Sequence, residues 1–185
     1  MQIKIEENRK NLESLIDEGA EILLFNQDFR KNPARKPVGI KKRLRQHILL
    51  MILTVAALGI YGYLYFSGRI KGILYVILLI MLVLIIILDL IIINAGFKMP
   101  KAIRDAADEH NQLVTIDEKG ISLNENTGLE WPDIFKIMIN QNSIIAMPKD
   151  LRSKYLLLNR EICYEPFLEG IRENHQEELV QDNIK

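Results

Sequence analysis

The chain has 185 residues, of which 49% are hydrophobic and 26% are charged, and its formal net charge at pH 7 is zero. This composition excludes an internal disulfide, because the chain has one cysteine, and its cysteine and three histidines lack the spacing of a zinc site. The charges are unevenly distributed. Residues 1–29 carry three Lys/Arg against seven Asp/Glu, residues 30–45 carry eight basic residues and no acid, and residues 98–185 carry eleven against sixteen.

The first predicted element is an amphipathic helix from Ile5 to Phe29. Its apolar residues fall on one face at helical spacing, namely Leu12, Leu15, Ile16, Ala20, Leu23 and Leu24. We expect this face to pack on the C-terminal domain or on the basic segment that follows, because the opposite face is acidic, whereas helices that lie on membranes are usually rich in lysine. Pro33, Pro37 and Gly39 end the helix and form a short linker.

A basic collar precedes the first long apolar run. It consists of Arg30, Lys31, Arg35, Lys36, Lys41, Lys42, Arg43 and Arg45. The positive-inside rule predicts that the collar stays in the cytoplasm, where anionic lipid head groups attract it by roughly 1 kcal/mol per basic residue. Nucleic acid is not the expected partner, because the collar has no interleaved aromatic residues and adjoins a predicted membrane span.

Two apolar runs, His47–Phe66 and Ile73–Ile93, are separated only by residues 67–72. Each run has about 20 residues, which is the length needed to cross roughly 30 Å of hydrocarbon as a helix. The sequence therefore predicts a transmembrane hairpin over residues 46–97. The turn carries only Arg69 and Lys71, so the excess of basic residues before the first span predicts that both termini are cytoplasmic.

Two features inside the hairpin lead to further predictions. The first span contains the small residues Ala56, Ala57, Gly59 and Gly62. They predict that the second span packs closely against it. Asp89 is the one acid in the second span, and an ionisable group in hydrocarbon raises the hypothesis of a proton or ion site. We favour a structural role, because residues 73–88 form about 24 Å of apolar helix and place Asp89 near the inner head groups. There it would be hydrated or would face Arg45 or His47.

Residues 98–185 are predicted to form a cytosolic α+β domain. A short polar helix is expected over Pro100–Asn111. Six short apolar or alternating runs separated by turn residues then predict an antiparallel β-meander, and they lie at residues 113–116, 121–123, 129–131, 136–139, 143–147 and 155–158. The spacing of Phe167, Leu168, Ile171 and Leu179 predicts a closing helix from Glu165, with Pro166 in its first turn.

The order of these segments resembles the YcxB-like family of bacterial membrane proteins. The resemblance is carried by the strand-turn-strand over residues 114–122, by Leu129-Glu-Trp-Pro-Asp-Ile-Phe-Lys-Ile137, and by residues 155–162 before a helix. It implies a multi-pass protein of the bacterial cell membrane whose C-terminal module is a small barrel, similar to pleckstrin-homology domains and closed by a helix. That family has no settled activity. Its usual Pro-Lys before the last helix is replaced here by Asn159-Arg160.

These elements divide the chain into residues 1–45, 46–97 and 98–185. Two sets of residues are singled out in the last of these parts. Trp131 is predicted to anchor the core through its ring and its indole N–H. Lys149, Arg152 and Lys154 are a candidate cluster for an anionic ligand. No catalytic, cofactor-binding or metal residue is predicted, because the sequence has no glycine-rich phosphate loop, nucleophile elbow or metal triad.

The expected function is that of a membrane-anchored cytosolic module that recruits a protein or peptide partner at the inner membrane face, without a cofactor and without enzymatic activity. The alternative is a membrane immunity protein that neutralises a bacterial toxin. A third class comprises a lipid sensor and an accessory of an enzyme or transporter. Membrane lipids and a protein are the expected partners, and a homo-oligomer is left open. The acidic balance of the predicted barrel favours a protein over anionic lipid as its ligand.

Overall fold

The computed structural model describes residues 2–4, 9–107, 113–123 and 127–184. Its helices are α1 (Arg9–Leu24), α2 (Asn26–Lys31), α3 (Ile40–Phe66), α4 (Ile73–Ala107) and α5 (Arg160–Glu173). Its strands are β1 (Gln2–Lys4), β2 (Leu113–Ile116), β3 (Gly120–Leu123), β4 (Thr127–Glu130), β5 (Ile134–Ile139), β6 (Ser143–Pro148), β7 (Leu156–Asn159) and β8 (Val180–Asp182). Two single turns of 3-10 helix lie at Trp131–Asp133 and Glu177–Leu179.

Helices α3 and α4 are long and apolar enough to cross a membrane. Only 6% of the most apolar stretch of α3 and 11% of that of α4 is buried inside the protein, whereas a core helix of a soluble domain would be largely covered. α4 continues without interruption through Pro100 to Ala107, so the residues of the predicted polar helix up to 107 are helical, but they extend α4 and do not form a separate helix. Residues 108–111 of that prediction lie outside the described residues. Met99 and Ile103, on either side of the proline, pack against α1 and α3, and this packing stabilises the continuation.

The close approach between α3 and α4 does not use Gly59 and Gly62, two of the four small residues that the sequence indicated. Gly59 and Gly62 have no neighbouring atom within 4 Å of a Cβ built on them, so they face away from α4. The glycine at the contact is Gly96 of α4, because a side chain there would overlap Leu44 of α3. The prediction that Gly59 and Gly62 mediate the packing is therefore wrong.

The C-terminal strands form two four-stranded sheets. Sheet A has the order β1-β2-β3-β4 and is antiparallel throughout, and sheet B has the order β7-β6-β5-β8, in which only β8 runs parallel to its neighbour β5. All six strands of the predicted meander are present. Within the described residues the sheets do not join into a closed barrel, so the expected barrel is replaced by two open sheets.

The main core lies between the two sheets and α5. It contains Ile121 and Leu129 from sheet A, Ile137 and Ile144 from sheet B, and Phe167 from α5. α5 begins at Arg160 and not near Glu165, because the side chain of Asn159 accepts a hydrogen bond of 3.0 Å from the backbone N–H of Glu161 and so caps the helix. Pro166 consequently lies inside the helix and not in its first turn. α5 ends at Glu173, so Leu179 lies beyond it, in the second 3-10 turn.

The other face of sheet B is covered by the N-terminal segment. Ile22 of α1 and Phe29 of α2 are fully buried against Met138, Ile145 and Met147. β1 also adds an edge strand to sheet A by pairing with β2. The sequence boundaries place residues 1–45 outside the C-terminal domain, whereas the structure uses parts of that segment to complete both sheets.

Candidate membrane-proximal interface

α1 lies between sheet B and the junction that the start of α3 forms with the end of α4, and each side of α1 presents a buried carboxylate. On the side of sheet B, Glu18 accepts hydrogen bonds from the backbone N–H of Asn142 at 3.1 Å, from the Asn142 side-chain amide at 2.7 Å and from the Ser143 hydroxyl at 2.8 Å. Gly19 permits this approach, because a Cβ there would lie 2.8 Å from Leu157 of β7. α1 is thereby fixed to the turn between β5 and β6.

The second buried carboxylate of α1, Glu21, holds the start of α3. It accepts hydrogen bonds from the backbone N–H groups of Val38 at 2.7 Å and Gly39 at 2.6 Å, and from Nε of Arg43 at 3.1 Å. Gly39 has φ of 89°, and any side chain there would also overlap Asp17. Burial raises the pKa of Glu21 above its usual value, although the two backbone N–H groups and the charge of Arg35 act in the opposite direction.

The residues of the basic collar divide into two groups. Arg43 contacts Glu21 and stacks over Phe25, and Arg35 pairs with Asp28 and stacks over Phe29. The collar residues that are exposed to solvent are Lys31, Lys36, Lys41, Lys42 and Arg45. Of these, Lys41 has an acid at 3.9 Å, which is Glu13. Arg43 and Arg35 therefore help to hold the collar against the N-terminal helices, and the exposed residues add positive charge to the surface.

Arg30, the first residue of the collar, reaches the far end of sheet B. Its guanidinium donates to the carbonyl oxygen of Lys149 at 3.2 Å and to that of Pro148, and it lies 5.1 Å over the ring of Phe135. α2 is thereby attached to the loop that follows β6. We name residues 149–155 the basic loop.

The basic loop carries the three cations of the candidate anionic-ligand cluster. Lys149, Arg152 and Lys154 are all exposed. The loop is shaped by Asp150, whose carboxylate accepts a hydrogen bond of 3.0 Å from the backbone N–H of Arg152. Leu151 is 52% exposed between them. The three cations thus belong to one surface loop that also presents an apolar side chain.

Asp89 of α4 faces α3 and pairs with His47, with 2.8 Å between Oδ1 and Nδ1. Phe25, which follows α1, stacks on the His47 ring with 5.6 Å between the ring centroids. Within the described part of the chain, the second oxygen of Asp89 is buried without a hydrogen-bond partner. Of the two residues named from the sequence, His47 and not Arg45 is therefore the partner of Asp89.

Trp131 is 8% exposed and belongs to the main core. Its indole N–H donates to the carbonyl oxygen of Asp117 at 3.0 Å. Asp117 shapes the β2–β3 turn, since its carboxylate accepts from the backbone N–H groups of Lys119 and Gly120, and these bonds hold its pKa below the usual value. The Trp131 ring therefore packs in the core, and its indole N–H is hydrogen-bonded to the backbone.

The residues that carry reactive or metal-binding groups do not converge. Cys163 is fully buried, and burial raises the pKa of its thiol to about 11, so the thiolate needed for nucleophilic attack does not form near neutral pH. In the part of the chain that the structure describes, no three His, Cys, Asp or Glu side chains are grouped as metal ligands.

Sequence reasoning missed the roles of Glu18, Glu21 and Arg30. Helical spacing assigned the two acids to a solvated face, whereas both are buried because α1 contacts partners on two sides. The signal was Gly19-Ala20 between the acids, since two small residues within an amphipathic helix are typical of close packing.

Comparison of the chain with protein-family models, with curated protein sequences and with solved structures found no match.

Proposed function

We propose that the protein is a membrane-anchored binding module, in which α3 and α4 span the bacterial cell membrane and the β domain recruits a protein or peptide partner at the cytoplasmic face. The observation that carries the proposal is the double attachment of α1. Glu18 holds the β5–β6 turn while Glu21 holds the start of α3. This arrangement keeps the β domain beside the membrane, where tethering raises its effective concentration for partners bound to the same membrane.

The proposed orientation rests on the distribution of charge. The collar precedes α3, Lys98, Lys101 and Arg104 follow the apolar part of α4, and the turn between the helices carries only Arg69 and Lys71. Both termini are therefore cytoplasmic in the proposal. Reporter fusions after Arg45 and at Lys185 test it: both should report the cytoplasm, and a periplasmic signal from either would overturn the hairpin.

The likeness to YcxB-like proteins, and through them to pleckstrin-homology-like modules, is part of the proposal. It is supported by the order of two apolar helices, six consecutive strands and a helix. The two open sheets of this chain depart from a closed barrel. Binding is preferred over turnover, because the one thiol is buried with a raised pKa and Trp131 is engaged by the core.

Photo-crosslinking in intact cells tests recruitment. A photoreactive amino acid is placed in the full chain at Glu118 in the β2–β3 turn, at Glu169 on α5, or at Ile60 on α3, all of which are exposed. The proposal expects a discrete protein adduct from at least one of the two β-domain positions and none of the same mass from Ile60. Absence of an adduct from both β-domain positions, with the protein present at normal levels, would contradict recruitment by these surfaces.

A further inference from the structure

We infer that the basic loop (residues 149–155) contacts the anionic head groups of the bilayer that holds α3 and α4. The inference rests on the membrane anchoring proposed above, and it assigns the β domain a second attachment to the membrane. It does not depend on the protein partner.

α1 runs toward the bilayer. Near its start, Glu13 pairs with Arg104 at the cytosolic end of α4, and just after its end, Phe25 stacks on His47, the partner of Asp89. Arg104 and Asp89 are 15 residues apart on one helix, which corresponds to about 22 Å. Phe25 thus lies at the level where the apolar runs begin, and α2 follows at this level.

β6 runs in the same direction as α1. Its first residue, Ser143, contacts Glu18 of α1, and its last, Pro148, contacts Arg30 of α2. The strand covers about 17 Å between these two ends. The basic loop therefore leaves sheet B at the end nearest the bilayer, whereas the β5–β6 turn with Gln141 lies at the opposite end.

The chemistry of the loop fits a lipid surface. Lys149, Arg152 and Lys154 outnumber its one acid, Asp150, whose carboxylate is engaged by the loop backbone. Leu151 supplies an exposed apolar side chain among the cations, a combination suited to the boundary between head groups and acyl chains. The domain as a whole is acidic, so the concentration of cations in this loop gives the β domain one side that anionic lipid attracts.

The collar continues this surface. Lys31 ends α2, whose Arg30 anchors the loop, and Lys42 and Arg45 lie on the first turns of α3, all exposed. The same head groups would thus face cations from two separate parts of the chain. Each basic residue near an anionic surface favours the contact by about fivefold.

The test uses the full chain in lipid nanodiscs, with Cys163→Ala as the background so that a single introduced cysteine carries an environment-sensitive fluorophore. Leu151→Cys reports the basic loop, Gln141→Cys is the matched control at the opposite end of sheet B, and Ile60→Cys reports insertion of α3. The lipids are phosphatidylcholine alone or mixed with phosphatidylglycerol. Lipids with a spin label on the head group are used to measure quenching at positions 151 and 141. Lipids with a spin label on the acyl chain are used to measure quenching at position 60.

The inference expects the label at position 151 to be quenched several-fold more than that at 141 in anionic nanodiscs. This quenching should weaken in phosphatidylcholine alone and at high salt. In a Lys149→Gln, Arg152→Gln, Lys154→Gln variant it should fall to the level of position 141, while fluorescence of Trp131 shows that the domain remains folded.

Equal quenching at positions 151 and 141 would overturn the inference, and so would quenching at 151 that is the same in neutral and anionic lipid. Position 60 separates this failure from a failure of anchoring. If its label is quenched by acyl-chain spin labels while that at 151 is not, anchoring stands and only the loop contact is wrong. If position 60 is not quenched, both are wrong.

Discussion

Replacement of Glu18 by alanine is expected to weaken the attachment of α1 to the β domain. Glu18 is 7% exposed, and its carboxylate accepts three hydrogen bonds from Asn142 and Ser143. A hydrogen bond to a charged group contributes about 1.5–3 kcal/mol, and desolvation of the carboxylate offsets part of the sum. We therefore expect the free energy of unfolding of the β domain to fall by about 2–4 kcal/mol.

The single tryptophan of the chain provides the assay, because Trp131 lies in the core of the β domain. Its fluorescence is followed during denaturant unfolding of the full chain in detergent micelles. Glu13→Ala is the matched control, since Glu13 is another acid of α1 but has an exposed side chain, and loss of its surface ion pairs should cost at most about 1 kcal/mol.

A double-mutant cycle refines the measurement. Combining Glu18→Ala with Ser143→Ala should give a coupling energy of about 1–2 kcal/mol for the 2.8 Å bond between the hydroxyl and the carboxylate. If Glu18→Ala and Glu13→Ala shift the unfolding transition equally, the Glu18 carboxylate does not hold α1 at the β5–β6 turn.

Three further predictions concern the core, the helical hairpin and the contact between α1 and the start of α3. Trp131→Ala should lower the free energy of unfolding by about 3–5 kcal/mol, measured by circular dichroism, and an unchanged melting curve would contradict its place in the core. Gly96→Val should overlap Leu44 and destabilise the detergent-solubilised hairpin in thermal unfolding, whereas Gly59→Val, in open space, should not; equal effects would refute the packing. Glu21 has a folded-state pKa above its usual 4.5, so its contribution to stability is most favourable at low pH and is lost as the pH rises through that raised pKa; Glu21→Gln should remove this pH dependence, and identical profiles would count against it.

Local sequence patterns determined the elements of the two main parts of the chain. The length and continuity of the apolar runs identified α3 and α4, because a span is defined by the number of consecutive apolar residues. Short runs between turn residues identified all six strands of the meander, since the alternation within a strand and the backbone preferences of turn residues are local properties. Helix boundaries were less well determined, because a cap such as Asn159 and the packing around Pro100 extended helices beyond their predicted limits.

Only the tertiary structure decided which residues attach the parts to one another. Glu18 and Ser143 are 125 residues apart, and Arg30 and Pro148 are 118 apart, so no local pattern reports that they meet. Burial of Glu18 and Glu21 depends on α1 having partners on both sides, whereas helical spacing could assign it only one apolar face. Likewise, Gly59 and Gly96 are chemically identical, but only Gly96 contacts the other helix. Which glycine lies at the contact depends on how each helix is rotated about its axis, and packing between α1, α3 and α4 sets that rotation.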